Sequence, residues 1–289
     1  MLELLKRKTR SAEDLLSVVK TMKVLAAVSI QQYEKAVESL GEYNRSVEFG
    51  LQAVLKYKSG GILIAKPVLK EKLGAIVFGS DQGMVGQFNE VIAHYAAEGI
   101  NTFKVKQKNR MVIAVGVRAM SCLEEAGQSV EDCLSLPGSI TAIAPVVQDI
   151  VLKMEAWRFK QQVDRIVIFY NRTVGASYKP HRLQLLPVDY KWFQELKSRP
   201  WPSRCLPFFT MDWNRLFSSL IRQHLFVSVF QAFAESICSE NAGRLVAMQA
   251  AEKNIEERLD ELNFQFHQER HSSITEELLD IVAGFEALK

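Results

Sequence analysis

The two ends of the chain carry hydrophobic patterns that are typical of long helices. All eight prolines lie between Pro67 and Pro207, and proline interrupts a helix because it lacks a backbone N–H and clashes with the preceding turn. In the first end, apolar or small residues recur at alternating steps of four and three, the spacing of a coiled-coil seam. We expect a helix near residues 3–57. Its predicted seam comprises Leu15, Val19, Met22, Ala26, Ser29, Tyr33, Ala36, Leu40, Tyr43, Val47, Gly50, Leu51 and Val54.

The last end repeats this pattern and predicts a second helix near residues 213–288. At about 1.5 Å per residue the two helices would be roughly 80 and 115 Å long, which exceeds the size of a compact domain. The second seam comprises Val227, Gln231, Ala234, Cys238, Asn241, Leu245, Met248, Glu252, Ile255, Leu259, Leu262 and Phe266 and, after a slip of one residue, Ile274, Leu278, Ile281, Phe285 and Leu288.

Charge favours pairing of the two ends. Residues 1–58 carry 10 basic and 7 acidic residues, whereas residues 212–289 carry 7 basic and 13 acidic residues. The opposite net charges support a long antiparallel coiled coil of the two terminal helices. Solvated helix faces explain such charge runs equally well.

The middle of the chain alternates strand-like and helix-like patterns. Short apolar runs occur at Leu73–Phe78, Arg110–Val115 and Arg165–Tyr170, and helical patterns lie between them near residues 89–99 and 140–160. We expect a Rossmann-like α/β domain with a largely parallel sheet. The predicted domains are therefore residues 1–58, 59–211 and 212–289. Two further segments are a candidate strand at Arg182–Leu186 and a proline-rich connector at Arg199–Pro207.

Composition narrows the class of protein. The 289 residues are 48% hydrophobic and 24% charged, which is typical of a soluble globular protein, and the net charge of +3 is too small to argue for nucleic-acid binding. The four cysteines form no C-x-x-C pair, so neither a disulfide framework nor a cysteine zinc site is indicated. No signal peptide and no membrane-spanning segment is expected.

Two motifs suggest chemistry, and each has a simpler explanation. The glycine-rich segment Gly79–Gly86 follows a predicted strand, where such loops hold phosphates, but it matches neither nucleotide-binding spacing. The alternative is a tight turn shaped by Asp81 and the glycines. His267 and His271 share a helix face, yet no convincing third zinc ligand lies nearby. We therefore expect no catalytic residue, cofactor or metal.

Four segments, Lys20–Ala27, Gly79–Asn89, Ser239–Asn254 and Ile274–Gly284, resemble one known family, the gamma subunits of rotary F-type ATP synthases. Ser239–Asn254 is similar to the family's S-E-x-A-x-R-x-x-A-M-x-A-A-x-x-N run, and Ile274–Gly284 to its closing I-T-x-E-L-x-E-I-V-x-G signature. Lys20–Ala27 resembles its K-A-M-x-M-V-A-A segment, and Gly79–Asn89 its S-S-D-R-G-L-C-G-G-L-N loop. The matches occur in the same order and span the whole chain.

The resemblance implies a central-stalk rotor. In this family the terminal helices turn inside a hexamer of catalytic and non-catalytic subunits, while the α/β domain rests on a membrane ring through which ions flow. The implied partners are that hexamer, an epsilon subunit and the ring subunits, with no nucleic acid. The implied location is the cytoplasmic face of a bacterial plasma membrane, as a peripheral subunit.

The resemblance also assigns residues to contacts. Met22 and Lys23 correspond to positions that face an acidic loop, called the lever, of a catalytic subunit. Arg244, Thr275 and Asp280 correspond to polar contacts with the hexamer, and residues 281–288 to its apolar bearing. Ordinary coiled-coil packing is the alternative for most of these positions. A ring-side role falls to the loop residues Asp81, Gln82, Gly83, Gly86 and Asn89.

The sequence departs from the family pattern at several positions. Gln82, Val85 and Gln87 replace arginine, cysteine and glycine, Asp280 replaces glutamate, and His271 and Phe285 are further differences. A divergent bacterial branch, such as the product of a second ATP synthase operon, is one hypothesis that accounts for them.

Two other classes of function remain open at this level. A coiled-coil scaffold or adaptor unrelated to energy coupling would form a defined homodimer through its own seam. A nucleotide-binding enzyme would show saturable ATP binding that depends on Asp81.

Overall fold

The computed structural model describes residues 1–57, 72–175 and 177–286, and these form two compact units. The coiled-coil unit comprises residues 1–27 and 244–289, and the α/β unit comprises residues 28–243. Helix α1 is Leu2–Tyr57 and helix α6 is Trp213–Glu286, so the two predicted terminal helices are confirmed. The predicted seam position Leu288 lies outside the described residues, as does the predicted domain boundary after residue 58.

Within each unit, contacts between α1 and α6 run in opposite directions along the chain. In the coiled-coil unit, Leu4 lines the same groove as Leu262, and Lys20 pairs with Glu256. In the α/β unit, the hydroxyl of Tyr43 donates to Gln223 Oε1 at 2.9 Å, and Trp213 Nε1 donates to the carbonyl oxygen of Val54 at 3.0 Å. The predicted antiparallel pairing is therefore confirmed.

Most predicted seam positions are buried or half-buried, with instructive exceptions. Val19, Ala26 and Val47 are buried, but Leu15 is 53% exposed because the half-buried Leu16 takes its place on the seam. Beyond Phe266 the pattern continues at Ile274, Leu278 and Ile281, which are all exposed. No residue of α1 lies opposite them, since Leu4 is already level with Leu262.

The α/β unit contains a five-stranded sheet in the order β3-β2-β1-β4-β5. The strands are β1 (Leu73–Phe78), β2 (Arg110–Val115), β3 (Asp132–Leu134), β4 (Arg165–Val174) and β5 (Ser177–Leu186). The first four are parallel, and β5 runs antiparallel to β4. The predicted, largely parallel sheet is confirmed, and the candidate strand at Arg182–Leu186 is the end of a longer edge strand.

Helices cover both faces of this sheet. They are α2 (Phe88–Thr102), α3 (Val117–Glu125) and α4 (Ile143–Lys160), together with parts of α1 and α6. A further helix, α5 (Tyr190–Ser198), packs against α1 and α6 instead. Because side chains alternate across a strand, Ala75 and Val77 face the core formed with α2, while Ile76 and Phe78 face the core formed with α4 and α6. Strand β1 and residues 166–170 of β4 are continuously apolar for this reason.

Helix α6 is itself a layer of the α/β unit. Val229, Phe233 and Ile237 are buried in the core that contains the strand residues Phe78 and Ile168. The Phe78 and Phe233 rings meet edge to face, with their centroids 4.9 Å apart. One continuous helix therefore contributes to the sheet-packed core in one unit and to a coiled coil in the other.

Candidate interaction surfaces

An ion-pair cluster joins the two helices of the coiled-coil unit. Lys23 Nζ lies 2.5 Å from Glu252 Oε2, and Lys20 Nζ lies 3.2 Å from Glu256 Oε1. The Glu252 side chain is only 17% exposed and that of Lys23 is 32% exposed. The charge difference seen in the sequence is therefore realised as contacts between α1 and α6, and Lys23 already has a carboxylate partner within the chain.

The other predicted contact residues lie at different levels of the same unit. Met22 and Arg244 are half-buried, whereas Thr275 and Asp280 are exposed. The Thr275 hydroxyl donates to the carbonyl oxygen of His271 at 2.8 Å. Thr275 follows Glu252 by 23 residues on one helix, which places it roughly 35 Å along the axis. Met22 and Lys23 are therefore close together, whereas Thr275 and Asp280 lie farther along α6. The contacts of these residues with other subunits stay a prediction.

Large apolar side chains outside the seam are exposed throughout the coiled-coil unit. In α1, Val18, Val24 and Leu25 are 51–60% exposed, and in α6 Val246 and Phe264 are 53% and 71% exposed. Near the end of α6, beyond the part paired with α1, the predicted seam residues Leu278 and Ile281 and their neighbours Leu279 and Val282 are also 54–67% exposed. Exposed apolar patches of this kind are typical of protein interaction surfaces. Val18, Val24 and Leu25 were not predicted as surface residues, although the sequence has a simple signal for them: apolar residues on both sides of the seam.

The glycine-rich loop after β1 is held by its own polar side chains. The buried Asn89 side chain accepts from the Ser80 backbone N–H at 2.9 Å and donates to Ser80 Oγ at 2.8 Å. Ser80 Oγ in turn donates to the carbonyl oxygen of Gln82 at 2.7 Å. Gly79 is required by close approach, because a Cβ there would lie 2.3 Å from the Cβ of Ala119.

Asp81 ties together the carboxyl ends of three neighbouring strands. Its two carboxylate oxygens accept from the backbone N–H groups of Val117 (3.0 Å) and Leu136 (2.8 Å), which follow β2 and β3. These bonds support the interpretation of the loop as a structural turn rather than a phosphate cradle. Gln82 and Gly86 are exposed and Gly83 is half-buried, and the predicted ring-side role of the loop stays a prediction.

The loop also packs against α6 at a small residue. A Cβ at Gly243 would lie 3.1 Å from a ring carbon of Tyr178 and 3.3 Å from the carbonyl oxygen of Val85. The Phe88 ring contacts Tyr178 edge to face at 5.2 Å. The small side chains that follow Ser239 therefore allow the loop and the β4–β5 hairpin to approach the helix closely.

The described residues contain neither a candidate metal site nor a helix suited to cross a membrane. No group of three or more His, Cys, Asp or Glu side chains in the described ranges could hold a metal ion. Among the helices of the described part, none combines the length and hydropathy needed to cross a bilayer.

Comparison with solved structures identifies the class of fold. The chain is similar to a chain of the rotor of the Euglena gracilis mitochondrial ATP synthase, with a TM-score of 0.63, 18% identity, and coverage of 94% of this chain and 98% of that one. It is also similar to a chain of the Tetrahymena thermophila central stalk and ring structure, with a TM-score of 0.54, 16% identity, and coverage of 81% and 99%. The fold is that of central-stalk rotor chains.

Sequence comparisons identify the family. A family model described as ATP synthase matches residues 1–288. Curated relatives named ATP synthase gamma chain include those of Glaesserella parasuis (28% identical) and Polynucleobacter necessarius (24% identical), each with 98% of both chains covered. The chain belongs to the ATP synthase gamma family, which confirms the resemblance found in the sequence.

Proposed function

We propose that this chain is the central-stalk rotor subunit of an F-type ATP synthase. In this role it couples ion flow through a membrane ring to ATP synthesis or hydrolysis in a catalytic hexamer. Membership of the gamma family supports the assignment. The structural observation that carries it is the exposed apolar surface of the coiled-coil unit, because an isolated helix pair gains nothing by exposing Val24, Leu25 and Leu279 to water.

A rotor acts by contacting different conformations of its partners unequally. A ligand or partner shifts a conformational equilibrium only through its differential affinity for the states. The two faces of the helix pair differ, since one side of α1 carries the Lys20–Lys23 cluster paired to α6 and another carries Val18 and Leu25. Turning this asymmetric rod would present each catalytic site with apolar and charged surfaces in sequence.

Individual contacts within the complex are part of the same proposal. Met22 and Lys23 would face the acidic lever of a catalytic subunit, and Arg244, Thr275 and Asp280 would make polar contacts with the hexamer. The α/β unit would meet the membrane ring and an epsilon subunit. The complex would lie on the cytoplasmic face of a bacterial plasma membrane.

Co-purification from the native host tests the assignment. Tagged chain is isolated from membranes after mild detergent, and subunit masses and ATPase activity are measured in the eluate. We expect a hexamer-forming pair of subunits with ATPase activity. Leu278→Asp combined with Leu279→Asp should reduce recovery of that pair, whereas the matched change Glu276→Asp with Glu277→Asp should not. Elution of the wild-type chain alone or as a homodimer would favour the scaffold function.

A charge substitution tests the contact assigned to Met22. Met22→Lys adds a cation beside Lys23 and should lower ATP-driven ion pumping relative to ATPase activity, because the lever is acidic and charge pairs strengthen where water is excluded. Thr21→Lys adds the same charge at an exposed neighbouring position and is the control. Equal pumping efficiency in the two variants would remove Met22 from the interface.

A further inference from the structure

The amino ends of three adjacent strands form one edge of the α/β unit, and each is preceded by basic residues. Strands β2, β1 and β4 are neighbours in the sheet and begin at Arg110, Leu73 and Arg165. The described residues of this edge are Lys72 and residues 104–110 and 158–165. Together they carry eight basic residues and a single acidic one, Asp164. We call this set the basic edge.

Side-chain contacts hold the three segments together. The guanidinium of Arg165 lies over the ring of Phe103, with its Cζ 4.7 Å from the ring centroid, and the Arg182 guanidinium lies 5.6 Å from the same centroid. Lys72 Nζ donates to the carbonyl oxygen of Gln161 at 2.7 Å. Two arginines on one ring place like charges close together, a costly arrangement that an external anion would relieve.

The groups that face solvent are mainly lysines, together with Arg158 and one aromatic ring. Lys104, Lys106 and Lys108 are all exposed, at alternate positions before β2. Phe159 is 80% exposed and stands between the exposed Arg158 and Lys160 at the end of α4. An exposed aromatic side chain flanked by cations is the composition of segments that lie at a membrane surface.

We propose that the basic edge binds the headgroups of anionic phospholipids. Arginine forks bind carboxylates and phosphates in a fixed geometry, but Arg110 is engaged with Asn101 and Gln128, and Arg165 lies on Phe103. The remaining cations of the basic edge are Arg158 and lysines, and lysines act as solvated point charges that suit the diffuse negative potential of a membrane. This inference rests on the proposed function for the nearness of a membrane.

The position of the basic edge within the α/β unit is consistent with such a contact. A groove borders the basic edge, because it is lined by Phe159 together with Phe217, Leu225 and Leu186. Leu186 pairs with Ile166 near the start of β4. The carboxyl ends of the strands lie instead beside Gly243, the last residue of the unit. The basic edge is therefore at the end of the α/β unit away from Gly243. The proposal is thus an alternative to the ring-side role predicted for the loop after β1, because that loop lies beside Gly243.

Vesicle flotation with the full chain tests the proposal. Vesicles of phosphatidylcholine alone are compared with vesicles that also contain phosphatidylglycerol, at low and high salt. We expect binding only to the anionic vesicles, weakened by salt. Lys104→Gln, Lys106→Gln and Lys108→Gln combined should weaken binding at least about tenfold, and Phe159→Ser should weaken it further. The matched control removes three exposed charges elsewhere, with Lys35→Gln, Arg45→Gln and Lys179→Gln, and should change binding less than about twofold.

Several outcomes would overturn the proposal. Absence of binding to anionic vesicles would do so, as would an equal loss in the control variant. Binding of an acidic peptide such as polyglutamate that depends on Lys104–Lys108, without vesicle binding, would assign the edge to a protein partner. Co-purification of the wild-type chain and of the lysine variant with the ATPase separates the two ideas. A wild-type chain that never enters the complex contradicts the proposed function whatever the vesicles show, whereas a lysine variant that enters the complex but does not bind vesicles supports both.

Discussion

The α/β unit and the coiled-coil unit treat their hydrophobic residues in opposite ways. In the α/β unit, entire strands such as Leu73–Phe78 are buried between helical layers. In the coiled-coil unit a narrow seam is buried, and Val24, Leu25, Phe264 and Leu279 are 59–71% exposed. The first unit forms a core on both faces of its sheet, although Phe159 and Phe208 stay exposed, whereas the second buries only the seam between its two helices. We therefore expect core side chains of the α/β unit to contribute more to folding stability than exposed apolar side chains of the coiled-coil unit.

The largest expected effect is on the free energy of unfolding, and it compares a buried phenylalanine of the α/β unit with an exposed one of the coiled-coil unit. Phe233→Ala removes a ring that is 1% exposed and should lower the free energy of unfolding by about 3–5 kcal/mol, because it leaves a cavity in the core. Phe264→Ala, at a ring that is 71% exposed, should change it by less than about 0.5 kcal/mol. Urea denaturation of the isolated chain measures both. Similar losses in the two variants would show that the coiled-coil unit is as self-contained as the α/β unit.

A glycine pair tests how closely the loop after β1 is packed. Gly79→Ala should destabilise the chain by about 1–3 kcal/mol, since its Cβ would overlap with Ala119 and lie 2.8 Å from Asn89 Oδ1. Gly83→Ala places a Cβ where no atom lies within 4 Å and serves as the control. Thermal unfolding distinguishes them. If both are neutral, the loop is looser than its hydrogen bonds indicate.

The ion pairs of the coiled-coil unit should contribute less. A double-mutant cycle on Lys23 and Glu252, with glutamine at each, should give a coupling energy of about 0.5–1 kcal/mol, because the pair is partly shielded from water. The pair of Lys253 and Glu257 is mostly exposed, with 3.8 Å between its charged atoms, and should give a smaller value. Both should shrink in high salt. A larger coupling for the exposed pair would contradict this order.

The smallest effect concerns pH. Burial lowers the pKa of His224 below its ordinary value of 6.5, although the charge of Glu48 opposes the shift, and the imidazole stacks on Trp192 with centroids 4.5 Å apart. The unfolded chain therefore takes up a proton more readily, so the stability that neutral His224 provides is present above pH 6.5 and is lost as pH falls below it.

Replacing the imidazole should remove this loss. His224→Phe keeps a ring against Trp192, and its melting temperature should fall less between pH 7.5 and pH 5.5 than that of the wild type. His94→Gln, at a side chain that is 76% exposed, is the control. An unchanged pH dependence in His224→Phe would exclude this residue as its source.

The sequence was a good guide to elements that are long or fully buried. Strands β1, β2 and β4 each contain an apolar run of five or six residues, and the long helices are recognisable from their hydrophobic seams. The elements missed were short or half-exposed: β3 has three residues, and α3 and α5 have nine each. Strand β5 contains Pro180, which argues against a central strand but is tolerated on an edge.

The candidate contacts were less predictable because they depend on residues far apart in sequence. Asp81 could be singled out, but its partners Val117 and Leu136 come together only when the sheet has formed. Lys23 likewise meets Glu252 only across the coiled coil. The exposure of Val24 and Leu25 can be recognised once the buried seam is located, because the seam shows which side of α1 faces α6.

Rotation of the chain inside its complex is the most direct test of the proposed function. Cys205 is exposed, whereas burial raises the pKa of Cys238 to about 12 and also raises that of Cys122 and Cys133. A maleimide-linked bead can therefore be attached at Cys205 while the purified complex is fixed to a surface through its catalytic subunits. We predict that ATP drives rotation of the bead in one direction. ATP hydrolysis by a complex in which the labelled chain stays still would contradict the account.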